Sequence, residues 1–414
     1  MKAVVYTLGC KLNQYESFSL SNELIQRGYE VSEELAPADL YVINTCAVTS
    51  EAERKSRQVL SKIDKLNPSA KVIICGCASQ RSPESFLKRQ GNLLVTGSFN
   101  KAAIIDFLGE SGVKLSGQPD EYEDNLFPLS PRTRAYVKVQ DGCDSFCAYC
   151  IIPYLRGRSR SRKEESVLGE ITRLSQSCKE FVLTGINLSG YGKDTGSSLP
   201  ALVRSLSGAD VRIRLGSLEA SAIDDELMQA LKGLKQFCPH FHLSLQSGSD
   251  GVLADMNRRY NAEFFLRAVE TVRRHFPDAA VTTDVIVGFP TESEEDFEQS
   301  CRVCSSARFA DIHIFPYSPR EGTKAYSLKP LAKSIVDLRK QRLAELRDNL
   351  KREFIQRFAG KQLEMLAEES RGSFTSGYTG NYIRCYAERE LEENRLYNVK
   401  VIRPHLDGAL CELV

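Results

Sequence analysis

No apolar run in this 414-residue sequence approaches the roughly 18 residues that a membrane-spanning helix needs. No secretory signal is visible either, because the opening MKAVVYTLGCKLNQYES turns polar after a few apolar residues. Both absences predict a cytoplasmic chain with no membrane partner. An excess of charge of one sign is also missing. Lys and Arg total 55 against 54 Asp and Glu, a formal net charge of +1. Any nucleic-acid partner must therefore be held by local basic clusters, since a bulk polycation is excluded. Histidine is scarce: the five present pair with no cysteine motif and gain no role. No internal repeat of useful fidelity is apparent.

Cysteine, by contrast, is abundant, with 13 residues. In a reduced cytosolic chain these are metal ligands or buried thiols rather than disulfides. The length implies two or three domains. Short apolar runs at Ala3–Leu8, Leu40–Ile43, Val72–Cys75 and Leu93–Val95 read as buried strands, with helices at Tyr15–Arg27 and Glu51–Lys65. This alternation predicts a doubly wound parallel sheet over residues 1–112. Residues 113–130 lose the periodicity, gain Gly, Ser, Pro and acidic residues, and read as a linker.

A second βα series occupies 131–358, with strands at Ala135–Gln140, Phe181–Thr184, Val211–Leu215, Phe241–Leu245, Val281–Val287 and Ile312–Phe315. Six such units predict a partial TIM-like (β/α)6 barrel, active at the strand C-termini. Ser334–Phe358 reads as a basic helix, and 359–414 as a small C-terminal β-barrel. The fold class is therefore α/β with that β-barrel appended.

In GCDSFCAYC, Cys143, Cys147 and Cys150 form CxxxCxxC on a tight loop after a strand. Thiolates bind iron–sulfur clusters, and a cubane normally takes four. Three leave one iron open for the amino and carboxylate groups of S-adenosylmethionine, which an electron from the cluster then cleaves to a 5′-deoxyadenosyl radical. A zinc knot is the competing assignment, but it wants a fourth Cys or His at short spacing. Cys10, Cys46 and Cys77 each follow a predicted strand of the first sheet, at the edge where such sheets bind ligands, so they could converge.

The run GCDSFCAYCIIPYLRGRSRSR, with LTGINLSGYG, RIRLGSLEA, HLSLQSGSDGVLADMNRRY, TTDVIVGFPTE, NTCAVT and GCASQ, resembles the methylthiotransferase family of radical S-adenosylmethionine (radical SAM) enzymes over nearly the whole chain. TLGCKLNQYES, IFPYSPREGT and GYTGNYIR look most like the branch that methylthiolates C2 of N6-threonylcarbamoyladenosine at position 37 of tRNA, beside the anticodon. The resemblance implies two [4Fe–4S] clusters, the second on Cys10, Cys46 and Cys77, and two S-adenosylmethionine molecules per turnover. One donates a methyl group to sulfur; the other generates the radical. Cys75 competes with Cys77 in the CGC tripeptide, but lies within the strand run. The implied partners are a tRNA, a sulfur source and a reductant such as flavodoxin or ferredoxin.

Tyr149 is expected beside the adenine of the cofactor or, failing that, in ordinary core. Thr184, Asn187, Ser217, Glu219, Gln246 and Ser247 lie near barrel strand ends. Glu219 is a candidate for the cofactor's amino group or ribose, and Arg258 or Arg259 for its carboxylate. Arg156, Arg158, Arg160 and Arg162 follow the cluster loop and are expected to bind RNA phosphates, although a charge run is usually a solvated face. The C-terminal segment resembles an RNA-binding TRAM domain. It carries seven Lys or Arg against nine Asp or Glu, so aromatic contacts such as Tyr378 and Tyr382 would have to contribute. Cys301 and Cys304 fall inside a predicted helix and read as buried or partly buried thiols. Other readings remain: the branches acting on isopentenyladenosine in tRNA or on a ribosomal-protein aspartate, and a non-catalytic iron–sulfur sensor that binds RNA.

Overall fold

Strand β1 (Lys2–Thr7) opens a parallel sheet, and its Ala3, Val4 and Val5 leave almost no surface to solvent. The computed structural model describes residues 1–89, 92–125, 128 and 133–414. Helix α1 (Lys11–Gln26) follows β1 directly, then come β2 (Glu30–Ser32), β3 (Leu40–Thr45), α2 (Ser50–Leu66), β4 (Lys71–Gly76), the short α3 (Cys77–Arg81), β5 (Leu93–Val95) and β6 (Gly112–Val113). Thr49 caps α2 by accepting from Ala52 N, and Glu51 and Glu53 sit in its first turn, where negative charge favours a helix start. Ser56, Val59, Leu60 and Ile63 give α2 one buried face at helical spacing.

The sheet runs β2-β1-β3-β4-β5-β6. The order in which strands are added reverses between β1 and β3, all strands being parallel, and the crevice beyond their carboxyl ends is the usual ligand position in such sheets. All six residues of β3 are buried, as expected of a central strand covered on both faces. The strands β2 and β6, two or three residues long, were too short to show in the periodicity.

Residues 114–125 form no strand or helix, yet they pack on the protein. Tyr122 Oη donates to Lys138 O at 2.8 Å, and Asp124 pairs with Arg162 at 2.7 Å. The remainder of the expected linker, at 126, 127, 129 and 130, lies outside the described residues.

The central part contains β7 (Arg134–Lys138), β8 (Gln140–Asp141), α4 (Ile152–Arg156), β9 (Arg160–Ser161), α5 (Glu164–Leu174), β10 (Glu180–Thr184), α6 (Leu199–Ser205), β11 (Arg212–Leu215), β12 (Ser217–Leu218), α7 (Asp225–Lys232), β13 (Gln236–Phe237), β14 (His240–Leu243), α8 (Asp250–Asp255), α9 (Ala262–His275), β15 (Ala280–Val287), α10 (Glu294–Ala307) and β16 (Asp311–Pro316). Two parallel sheets, β13-β11-β10-β7 and β12-β14-β15-β16, form the barrel wall. The strand expected at 211–215 leaves the first sheet and enters the second across Gly216, where an added Cβ would sit 3.0 Å from Leu183 O. Helix α9 illustrates the outer layer: Asn261 caps it, and Phe265, Ala268, Val269 and Val272 face the core.

Helix α11 (Lys333–Gln356) then leads to a closed barrel of β17 (Gln362–Arg371), β18 (Phe374–Thr379), β19 (Arg384–Ala387), β20 (Leu396–His405) and β21 (Gly408–Leu413), ordered β17-β18-β19-β21-β20. Phe354, Ile355 and Phe358 at the end of α11 join this barrel's core. No helix among the described residues is long and apolar enough to cross a membrane.

Candidate active site

The cysteines that follow the sheet strands are placed by backbone geometry. Cys10 precedes α1, Cys46 follows β3 immediately, and Cys77 begins α3 at the end of β4. Gly9 has φ +106°, and a Cβ there would come within 2.8 Å of Cys46 Sγ, so the loops after β1 and β3 touch. Asn13 binds these loops together, donating to Leu8 O at 2.8 Å and Thr45 O at 3.0 Å. Cys75 belongs elsewhere: it lies inside β4 and packs with Leu20, Leu24 and Ile73 on the opposite face. Cys75 therefore sits in core with Ile73, two residues before it on the same strand face, whereas the strand ends at Gly76, whose φ of +102° turns the chain and puts Cys77 beyond it.

Cys143, Cys147 and Cys150 occupy the loop between β8 and α4. Ile151, Ile152 and Leu155, just after this loop, pack into the core of the N-terminal sheet with Cys77 and Ala78. That burial draws the second cysteine loop against the first. All six cysteines line one cavity of about 220 Å³, together with Asn13, Tyr149, Arg156, Asn187, Ser217, Glu219, Gln246 and Arg258. Burial pushes the Cys46 and Cys150 thiols up to about 12, so bound iron has to displace their protons. Three thiols per trio at strand ends, all free and accompanied by the buried Arg156 and the partly buried Arg258, are a donor set suited to iron–sulfur clusters.

Polar groups around the second trio are mutually bonded. Arg258 Nη1 lies 3.3 Å from Cys147 Sγ and 3.2 Å from Glu219 Oε1. Ser145 Oγ donates to Glu219 at 3.3 Å and accepts from Asn187 Nδ2 at 3.2 Å. Asn257, at φ +59°, donates to Phe146 O at 3.0 Å and fixes the cysteine loop. Gln246 also takes a positive φ, +66°, within the cavity wall.

Other predicted residues are placed differently. Thr184 is buried and lines a neighbouring, larger cavity rather than the cysteine cavity. Ser247 is buried against Ser300 at 3.3 Å, and Arg259 is exposed outside both cavities. Tyr149 is partly buried and packs with Ala148, Val252 and Phe289 while lining the cysteine cavity.

The basic run requires correction. Arg156 is 1% exposed and bonds Glu16 at 2.8 Å, Asp141 at 3.0 Å and Asn13 at 2.7 Å. Arg160 is buried with its guanidinium on the carbonyls of Arg156 and Arg158. Arg162 is buried with Glu170 and Asp124. Only Arg158 of the four is exposed, and it pairs with Asp144 at 3.2 Å. Arg156 and Arg162 are internal ion-pair partners and Arg160 is spent on backbone carbonyls, so these three are buried in the protein and are not exposed as an RNA-binding face.

Sequence reasoning passed over the histidines. His242 Nε2 lies 3.1 Å and His313 Nδ1 3.3 Å from the carboxylate of Asp284, inside the barrel. No local signal marks them, since β14, β15 and β16 become neighbours only in the folded sheet. Cys304 is buried and Cys301 partly buried in α10, matching the expectation of thiols.

Residues 2–97 match the uncharacterized protein family UPF0004, and residues 137–304 match the radical SAM superfamily. The threonylcarbamoyladenosine tRNA methylthiotransferase MtaB of Thermotoga maritima is 38% identical, covering 97% of this chain and 94% of its own. The chain belongs to the radical SAM methylthiotransferase family. Its cofactors are accordingly S-adenosylmethionine and iron–sulfur clusters. A tRNA-2-methylthio-N6-dimethylallyladenosine synthase of Caldicellulosiruptor saccharolyticus is 34% identical, over 88% of this chain and 81% of its own. Among solved structures, the radical S-adenosylmethionine methyltransferase TsrM of Kitasatospora setae shares the fold at 14% identity, with a TM-score of 0.57, covering 78% of this chain and 77% of its own.

Proposed function

We propose that this chain adds a methylthio group to C2 of N6-threonylcarbamoyladenosine at position 37 of tRNA. The observation that carries the reading is the opening of both cysteine trios onto one cavity, so that one adenine can face both. Cys143, Cys147 and Cys150 are assigned to the cluster that binds S-adenosylmethionine, and Cys10, Cys46 and Cys77 to the second. Bound there, the reduced first cluster and S-adenosylmethionine supply the hydrogen-abstracting chemistry, and the second cluster holds the sulfur to be delivered.

The chain's own residues position and enclose. The Arg258 guanidinium suits the cofactor's carboxylate in a bidentate contact, and Glu219 suits its amino group. Tyr149 supplies an apolar wall for the adenine. Arg156, buried beside the second trio, offsets the negative charge of its thiolates. A tRNA, a sulfur source and a reductant such as flavodoxin or ferredoxin complete the reaction, which consumes two S-adenosylmethionine molecules.

Several near-full-length relatives carry the threonylcarbamoyladenosine name, which supports this base over the alternatives. Mass spectrometry of tRNA nucleosides from a strain lacking the gene tests it. The methylthio form of threonylcarbamoyladenosine is expected to vanish while that of isopentenyladenosine persists. The reverse result would assign the chain to the isopentenyladenosine branch instead.

A further inference from the structure

Next to the cysteine cavity, and sharing Cys10 and Ser217 with it, lies a cavity of about 650 Å³ in the barrel interior, closed on one side by the C-terminal β-barrel. Nearly every charged side chain lining it is matched. Arg134 is held by Glu368 at 2.6 Å, Arg214 by Glu180 at 2.6 Å, Lys351 by Asp311 at 2.8 Å and Arg384 by Asp407 at 3.3 Å. Asp284 lies between His242 and His313. Lys11 alone among these has no hydrogen bond or ion pair among the described residues.

Lys11 is solvent-exposed within this cavity, whose lining also includes Tyr382, Arg134, Arg214 and Asp284. An ammonium left without a partner in a cavity whose other charges are matched is available to a ligand anion. Lys11 is also the residue after Cys10, so the anion it meets must lie beside the second cysteine trio.

The function proposed above supplies a base with such an anion. We infer that Lys11 forms an anion subsite that takes the carboxylate of the threonylcarbamoyl substituent, and so selects that base over one with an uncharged substituent. The inference rests on that function. A single nucleobase carries both C2 and the substituent, which requires the group that reads the carboxylate to adjoin the cysteines that deliver sulfur. Lys11 meets that requirement through its place in the chain. Phosphate from the RNA backbone is the other source of the same anionic chemistry.

The test compares anticodon stem-loops carrying threonylcarbamoyladenosine as the free acid or as its methyl ester, binding the reconstituted protein. The unaltered protein is expected to bind the acid about 10- to 100-fold more tightly, the usual worth of a charged hydrogen bond. Lys11→Met should abolish the preference and Lys11→Arg should restore most of it. Equal weakening of acid and ester by Lys11→Met would assign Lys11 to phosphate and overturn the inference. No acid preference in the unaltered protein would overturn it without any variant. Product formation in the same samples reports on the reaction separately. Product without acid preference defeats the subsite alone, whereas acid preference without product defeats the proposed reaction and leaves the subsite standing.

Discussion

Arg156 Nη1 stands 2.8 Å from Glu16 Oε1, and each side chain is 1% exposed. The pair latches α4, which follows one cysteine trio, to α1, which follows Cys10 of the other. Lys138, at 3.1 Å from Glu16 and 2.6 Å from Asp141, extends the same network, and Lys101 completes it. The two halves of the site are therefore registered by charge as well as by packing.

Removing Arg156 leaves two buried carboxylates short of a partner. Arg156→Met is expected to cost about 3–5 kcal/mol in denaturant unfolding. Arg156→Lys should recover only part, because one ammonium cannot reproduce a guanidinium fork on Glu16, Asp141 and Asn13. A methionine variant as stable as the original would remove this latch from the account.

Burial favours protonation of Asp141, but the charges of Arg156 and Lys138 outweigh it and hold the carboxyl down to about 2. A carboxyl depressed in the folded chain contributes stability above its unfolded value near 4 and loses it as pH falls toward about 2. The expected contribution is about 2 kcal/mol at neutral pH. Asp141→Asn should flatten the fall of unfolding free energy across that window. An unchanged slope would contradict the assignment.

Gly9 meets Cys46 Sγ at a positive φ, so Gly9→Ala adds both a clash and backbone strain of about 1–3 kcal/mol. The expected variant loses roughly half its iron on reconstitution, while S-adenosylmethionine cleavage continues. Full iron content in Gly9→Ala would show that the loops have room to part.

Arg162 pairs internally with Glu170 and Asp124. Arg162→Met is therefore expected to lower unfolding stability without altering how tRNA affinity declines with salt. A salt slope reduced by about 1 would reinstate a phosphate contact.

The strands and the two cysteine loops were legible because their signals are local. Apolar runs mark β3 and β4, and the end of the β4 run separates Cys75, inside it, from Cys77, beyond it. The arginine run misled for the opposite reason. Glu16 lies 140 residues before Arg156, and nothing local says that a carboxylate waits there. His242, Asp284 and His313 come together only because β14, β15 and β16 are neighbours in one sheet. Lys11 is conspicuous only after every other charge in its cavity has been matched. The passage of one strand between sheets at Gly216 is a closure effect that hydrophobic periodicity does not encode.

The division of labour between the trios is tested most directly by assaying 5′-deoxyadenosine and methylthiolated nucleoside together in reconstituted Cys46→Ala and Cys143→Ala. Cys46→Ala is expected to form 5′-deoxyadenosine and no methylthiolated base, and Cys143→Ala to form neither. Methylthiolated product from Cys46→Ala, or 5′-deoxyadenosine from Cys143→Ala, would contradict the account.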